Sequence, residues 1–150
     1  AGFATCGKTG RSQTGHAMMC AGAPILWRSF RQTVVATSTG EAECMALSAV
    51  CKEVVFATQL LEEIHFKPKK TPVVVFDDSE PAIAIAMGSG LSKRSRSIRL
   101  SYHNVKECVV NKTIELRKVS GKSNPADILT KALSVDGTNR YSNIFFRKRR

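Results

Sequence analysis

Apolar residues recur at helical spacing through one long stretch of the chain. They are separated by three or four positions and form a single stripe: Ala46, Val50, Val54, Ala57, Leu61 and Ile64. The segment before the stripe, residues 38–41 (STGE), has the hydroxyl and acidic residues of a helix start. The pattern therefore predicts a helix over about residues 41–65.

Shorter apolar runs predict strands. Residues 72–76 (PVVVF) are apolar and mostly β-branched without interruption, which indicates a strand buried on both faces. Residues 16–20 and 25–30 flank a turn and predict a hairpin, and residues 113–119 alternate as a half-buried strand does. We expect the long helix to provide the crossover that parallel strand pairing requires.

The other segments complete an α/β order. Residues 80–87, 101–110 and 126–133 favour helices, residues 1–15 favour a loop, and the segment after Ser134 has no clear periodicity. Hairpin, helix, strand, helix, helix, strand and helix indicate an α/β fold with a mixed sheet. A length of 150 residues suits one domain, which we expect at residues 1–133, followed by a basic tail at 134–150.

Charge and cysteine content narrow the function. The formal net charge of +11 favours a polyanionic partner. The five cysteines are an odd number without a C-x-x-C pair, which argues against a zinc knuckle or a disulfide framework and favours free thiols in a reducing compartment. No apolar run reaches the ~18–20 residues of a membrane span, so we expect no membrane partner.

Three carboxylates stand at the ends of predicted elements. Asp78 follows the buried strand, Glu43 lies in the first turn of the long helix, and Asp127 opens the last predicted helix. Each has an ordinary explanation as a helix cap or a helix-dipole partner. Together they also fit a site for hard divalent cations, which need carboxylates from several elements. The three histidines are scattered and give little support for nucleophilic triad chemistry.

Several segments, in order, resemble the ribonuclease H domain of copia-type retrotransposons. Residues 38–47 (STGEAECMAL) resemble the family's "STEAEYMAL", and residues 76–83 (FDDSEPAI) resemble "YCDNQSAI". Residues 101–107 (SYHNVKE) are similar to "RYHFVRE", and residues 124–133 (NPADILTKAL) to "ADILTKPL". Residues 11–15 (RSQTG) and 23–27 (APILW) resemble "RSTSG" and "APISW". The likeness covers residues 1 to about 133.

The resemblance implies a ribonuclease H-like fold, with a mixed five-stranded sheet, its first strand largely missing, and helices on both faces. It implies hydrolysis of the RNA strand of an RNA–DNA hybrid, next to a reverse transcriptase domain in a Pol polyprotein. Two Mg²⁺ ions, or Mn²⁺, would be held by four carboxylates, of which Glu43, Asp78 and Asp127 match by position. The expected location is intracellular, in the virus-like particle of a retroelement.

Basic residues supply candidate phosphate contacts. Lys93, Arg94, Arg96 and Arg99 lie in a serine-rich stretch that could equally be a solvated loop. The resemblance also has departures, since the family's first aspartate aligns with the position before Ala1 and residues 96–100 (RSIRL) replace "KHIDI". We therefore expect a chain that binds hybrid and cleaves it poorly. A catalytically inactive hybrid-binding remnant and a structural domain of the polyprotein are the alternatives.

Overall fold

A computed structural model describes residues 1–66, 72–88 and 96–146, with the side chains of the last range described from residue 99 onward. Lys93 and Arg94 lie outside the described residues. The elements follow in chain order: β1 (Gln13–Cys20), β2 (Ala23–Arg31), α1 (Thr39–Glu63), β3 (Val73–Asp77), α2 (Glu80–Ala86), α3 (Arg96–Val110), β4 (Ile114–Lys118), the 3₁₀ turns Gly121–Ser123 and Pro125–Leu129, and α4 (Val135–Phe145).

Strands β1 and β2 form the predicted hairpin. They pair antiparallel from Gln13 opposite Arg31 to Cys20 opposite Ala23, with an irregularity after Met18. The two connecting residues are Ala21 and Gly22, both with positive φ, which matches the right-handed twist of a tight hairpin. The N-terminal segment extends this sheet, because the main chains of Gly2 and Gln13 exchange two hydrogen bonds of 2.8 Å.

Helix α1 is the central packing element, as the apolar stripe predicts. It begins after Ser38, whose side chain accepts a hydrogen bond from the main-chain N–H of Glu41. Its inner face contributes Leu47, Cys51 and Val54 to the core, where the helix packs against α3. By length and composition α1 would also pass as a membrane span, although part of it is buried within the fold.

Strand β3 confirms the predicted buried run only in part. It pairs in parallel with β4, from Val73 opposite Ile114 to Asp77 opposite Lys118. The connection between these two parallel strands contains α2 and α3, so the expectation that the long helix provides the crossover was wrong. Val75 is buried, but Phe76 is 58% exposed, so burial on both faces was wrong at this residue.

The chain is mixed α/β, as predicted, but its strands form two separate sheets of two strands each among the described residues. One mixed five-stranded sheet is not formed there. Two helix predictions need correction. Residues 126–133 are not an α-helix, since a 3₁₀ turn spans Pro125–Leu129, and the segment predicted to lack periodicity contains α4.

Candidate functional site

Two of the three predicted carboxylates line one cleft. Asp78 follows β3 directly, and Asp127 lies in the 3₁₀ turn Pro125–Leu129. Both border a cleft of about 820 Å³, whose walls also contain Asp136 and the cations Lys122, Lys131 and Arg140. Asp78 is held at the cleft by Asn124, whose side-chain N–H₂ donates to Asp78 Oδ1 at 3.4 Å.

Glu43 is buried beside this cleft rather than within its lining. The N-terminal ammonium of Ala1 lies 2.5 Å from Glu43 Oε2 and neutralises the carboxylate. Burial raises the pKa of Glu43, the ammonium opposes that rise, and the negative charges of Asp78 and Asp127 add to it. The three carboxylates are therefore close enough to influence one another electrostatically.

The neighbouring acidic residues have structural roles. The Glu41 carboxylate accepts hydrogen bonds from the main-chain N–H and the hydroxyl of Thr37, at the start of α1. Asp77 is buried, and its Oδ1 accepts the main-chain N–H of Ser79 at 2.7 Å. Burial raises the pKa of Asp77 to about 6. Glu41 and Asp77 thus stabilise element ends, while Glu43 and Asp78 are directed to the cleft region.

Asp127 is positioned by contacts with the hairpin. The Ser29 hydroxyl donates to the main-chain oxygen of Leu129 at 2.6 Å. Gly15 of β1 lies directly against this 3₁₀ turn, where an added Cβ would be 2.7 Å from both Leu129 Cβ and Thr130 Cγ2. Only glycine fits at this position without displacing the segment that carries Asp127.

Lys131 is the ion-pair partner of Asp127. Its Nζ lies 2.8 Å from Asp127 Oδ2, and the two residues are four positions apart on the chain. The hydrogen bond to Asp127 raises the pKa of Lys131, as do the charges of Asp127 and Asp78. One wall of the cleft therefore already carries a fixed positive charge against its carboxylates.

The donor set has the right chemistry for Mg²⁺ but not the right arrangement. Hard divalent cations bind through several carboxylate oxygens at once. Ammonium groups already pair with Glu43 and Asp127. Within residues 1–66, 72–88 and 96–146 there is no group of three or more His, Cys, Asp or Glu side chains placed to hold a metal ion. A divalent cation at these carboxylates would have to displace the ammonium groups that now pair with Glu43 and Asp127.

The predicted basic residues are only partly placed by the structure. Arg99 is exposed on α3, and the side chain of Arg96 lies outside the described part of the chain, like Lys93 and Arg94. The cleft instead presents Lys122, Lys131 and Arg140, which sequence reasoning missed. Ser134 and Asp136 were the available signal for the helix that carries Arg140, because a hydroxyl cap followed by an acidic residue marks a helix start.

Comparison with known proteins identifies relatives of the chain. The chain is 35% identical, over 123 residues and 82% of its length, to the retrovirus-related Pol polyprotein from transposon TNT 1-94 of Nicotiana tabacum. The chain is homologous to retrovirus-related Pol polyproteins of plant transposons. The same share of it is 28% identical to the Pol polyproteins from transposons RE1 and RE2 of Arabidopsis thaliana.

This Pol-homologous chain spans less than a tenth of the length of these relatives, with 9% of the tobacco polyprotein and 8% of each Arabidopsis polyprotein covered. No family model and no solved structure matches it.

Proposed function

We propose that this chain is the ribonuclease H-like region of a retrotransposon Pol polyprotein and that its cleft binds RNA–DNA hybrid. The observation that carries the proposal is the position of Asp78 and Asp127 on one cleft, within electrostatic reach of Glu43. These residues come from α1, the end of β3 and the turn Pro125–Leu129. They are the three that match the family's carboxylates by position.

Hybrid binding follows from charge and shape. A net charge of +11 attracts a phosphate backbone and makes the affinity fall with salt. An A-form-like helix presents a wide, shallow minor groove lined with 2′-hydroxyls, which proteins recognise largely by shape. Charge and shape thus favour an RNA–DNA hybrid as the partner. The adjoining reverse transcriptase domain and the location in an intracellular retroelement particle are proposed from the family resemblance.

Cleavage is expected to be weak for residues 1–150. Mg²⁺ requires near-octahedral oxygen coordination and loses its waters reluctantly, so an incomplete carboxylate set binds it poorly. A main-chain extension before Ala1 would replace the terminal ammonium at Glu43 with an uncharged peptide N–H. It would also continue the pairing of Gly2 with Gln13 along β1 and add a fifth strand to the four described.

The test compares residues 1–150 with a chain extended at its N-terminus by a strand that carries the aspartate which the family resemblance places before Ala1. We expect both chains to bind a fluorescent hybrid, and only the extended chain to cleave its RNA strand in Mg²⁺. In the extended chain, Asp78→Asn or Asp127→Asn should abolish cleavage. Asp136→Asn is the matched control, because Asp136 lines the same cleft but is not one of the matched carboxylates.

Three outcomes would contradict the proposal. Absence of hybrid binding by residues 1–150 would leave the structural-domain alternative. Hybrid binding without cleavage by the extended chain would favour the inactive remnant. Cleavage that survives both Asp78→Asn and Asp127→Asn would assign the chemistry to other groups.

A further inference from the structure

We infer that the wall formed by α4 and the turn Gly121–Ser123 is a phosphate-contacting surface, with Lys122 and Arg140 holding the backbone of the bound nucleic acid strand. This inference rests on the proposed hybrid binding and assigns it to residues outside the basic stretch at 93–99. It gives a function to α4, which lies in the segment predicted to be a basic tail without clear periodicity.

Helix α4 fixes the turn in place. The Tyr141 hydroxyl donates to the main-chain oxygen of Lys122 at 2.8 Å, and the Arg140 guanidinium donates to the same oxygen at 3.2 Å. Tyr141 is buried, so its hydroxyl is an anchored donor. The Lys122 side chain takes part in neither bond and is exposed at the cleft.

In this position the turn Gly121–Ser123 lies against the carboxylate of Asp78. Gly121 approaches Asp78 so closely that an added Cβ would be 3.2 Å from Asp78 Oδ2. Gly137 and Arg140 of α4 line the same cleft as Asp78 and Asp127. A nucleic acid strand that approached Asp78 and Asp127 would therefore pass Lys122 and Arg140.

The cations that line the cleft differ in whether a carboxylate already pairs with them. Lys131 is paired with Asp127, whereas neither Lys122 nor Arg140 forms an ion pair with any side chain in the described ranges. Both are exposed. A planar guanidinium and a flexible ammonium that are not committed to a carboxylate are the groups that bind phosphate oxygens. The unpaired cations favour a polyanion over a neutral ligand at this wall.

The expected loss follows from counterion release. Each phosphate contact contributes a slope of about 0.7–0.9 to the fall of log affinity with log salt. At about 0.1 M salt the loss of one such contact should therefore weaken binding by about 5- to 8-fold. The slope of log affinity against log salt should fall by about 0.7–0.9. The effect should be the same for hybrids of different sequence, because phosphates carry no sequence information.

The experiment measures hybrid affinity across a salt series for Lys122→Met and Arg140→Gln. Lys8→Met and Arg11→Gln are the matched controls, since both residues are exposed, lie outside the cleft and undergo the same charge change. Lys122→Met leaves the main-chain acceptor of Tyr141 intact, so this variant is expected to fold. Thermal melting checks that each protein is folded, and Lys122→Met alone carries the test if Arg140→Gln unfolds.

The outcomes separate this inference from the proposed function. A wild-type chain that fails to bind hybrid refutes the proposed function. If the wild type binds hybrid and the cleft variants bind as tightly as their controls, the phosphate-contacting role of the α4 wall is refuted and the proposed function stands. A weakened Lys122→Met with a reduced salt slope, beside an unchanged Lys8→Met, supports the inference.

Discussion

His16 is a buried histidine whose removal should stabilise the protein, and more so in acid. It lies in β1 opposite Arg28, and the edge of its ring meets Phe30. Both ring nitrogens are buried, and neither has a hydrogen-bond partner among the described residues. Burial lowers the pKa of His16, the carboxylate of Glu53 opposes the shift, and the charge of Arg28 adds to it. We consider His16→Leu, which has similar volume and no polar atom.

Two effects set the expected difference in unfolding free energy between His16→Leu and the wild type. A buried polar group without a partner costs about 1–3 kcal/mol, so the variant should gain roughly 1–2 kcal/mol at pH 7. A histidine with a lowered folded pKa is protonated more readily in the unfolded chain, so the wild type loses stability as the pH falls below about 6.5. The loss at pH 5 grows with the extent to which burial lowers the folded pKa, and its upper limit is about 2 kcal/mol, set by the interval between pH 5 and the unfolded pKa of about 6.5.

Urea unfolding followed by circular dichroism at pH 5, 6 and 7 measures the difference in unfolding free energy between variant and wild type. Titrations of the other groups are common to both proteins and cancel in this difference. His103→Leu is the control, because His103 is exposed on α3. A difference for His16→Leu that does not grow between pH 7 and pH 5 would refute the reasoning, as would a variant less stable than the wild type.

Two further substitutions test how the site is held. Gly15→Ala should destabilise the fold by about 1–3 kcal/mol through overpacking against Leu129 and Thr130, and hybrid binding should weaken with it. Gly7→Ala is the control in the same unfolding assay, because no heavy atom of the described residues lies within 4 Å of the added Cβ. Its free energy of unfolding should change little. Equal losses for the two variants would contradict the close approach of Gly15 to Leu129 and Thr130. Ser38→Ala removes the cap of α1 and should cost about 1 kcal/mol of unfolding free energy, whereas Ser38→Thr should retain most of it.

Features set by local periodicity were predictable, and features set by distant contacts were not. The stripe through Val50 and Val54 located α1, and the run ending at Phe76 located β3. Helix α4 was missed because Tyr141 is its one buried residue, so it has no apolar stripe to detect. The contact of Gly15 with Leu129 joins residues 114 positions apart, and no local pattern indicates which glycine must lie against that turn.

The acidic pairs illustrate how backbone geometry selects the residues of a site. Successive helical residues differ by about 100° in direction, so Glu41 and Glu43 point about 200° apart from α1. Glu41 thus turns back to Thr37, while Glu43 faces the region of Asp78. Side chains alternate between the faces of a strand, and Asp77 at the end of β3 is buried while Asp78 reaches the cleft. In each pair one carboxylate closes an element and the other faces the cleft region, so a single-residue shift in either element would exchange those positions.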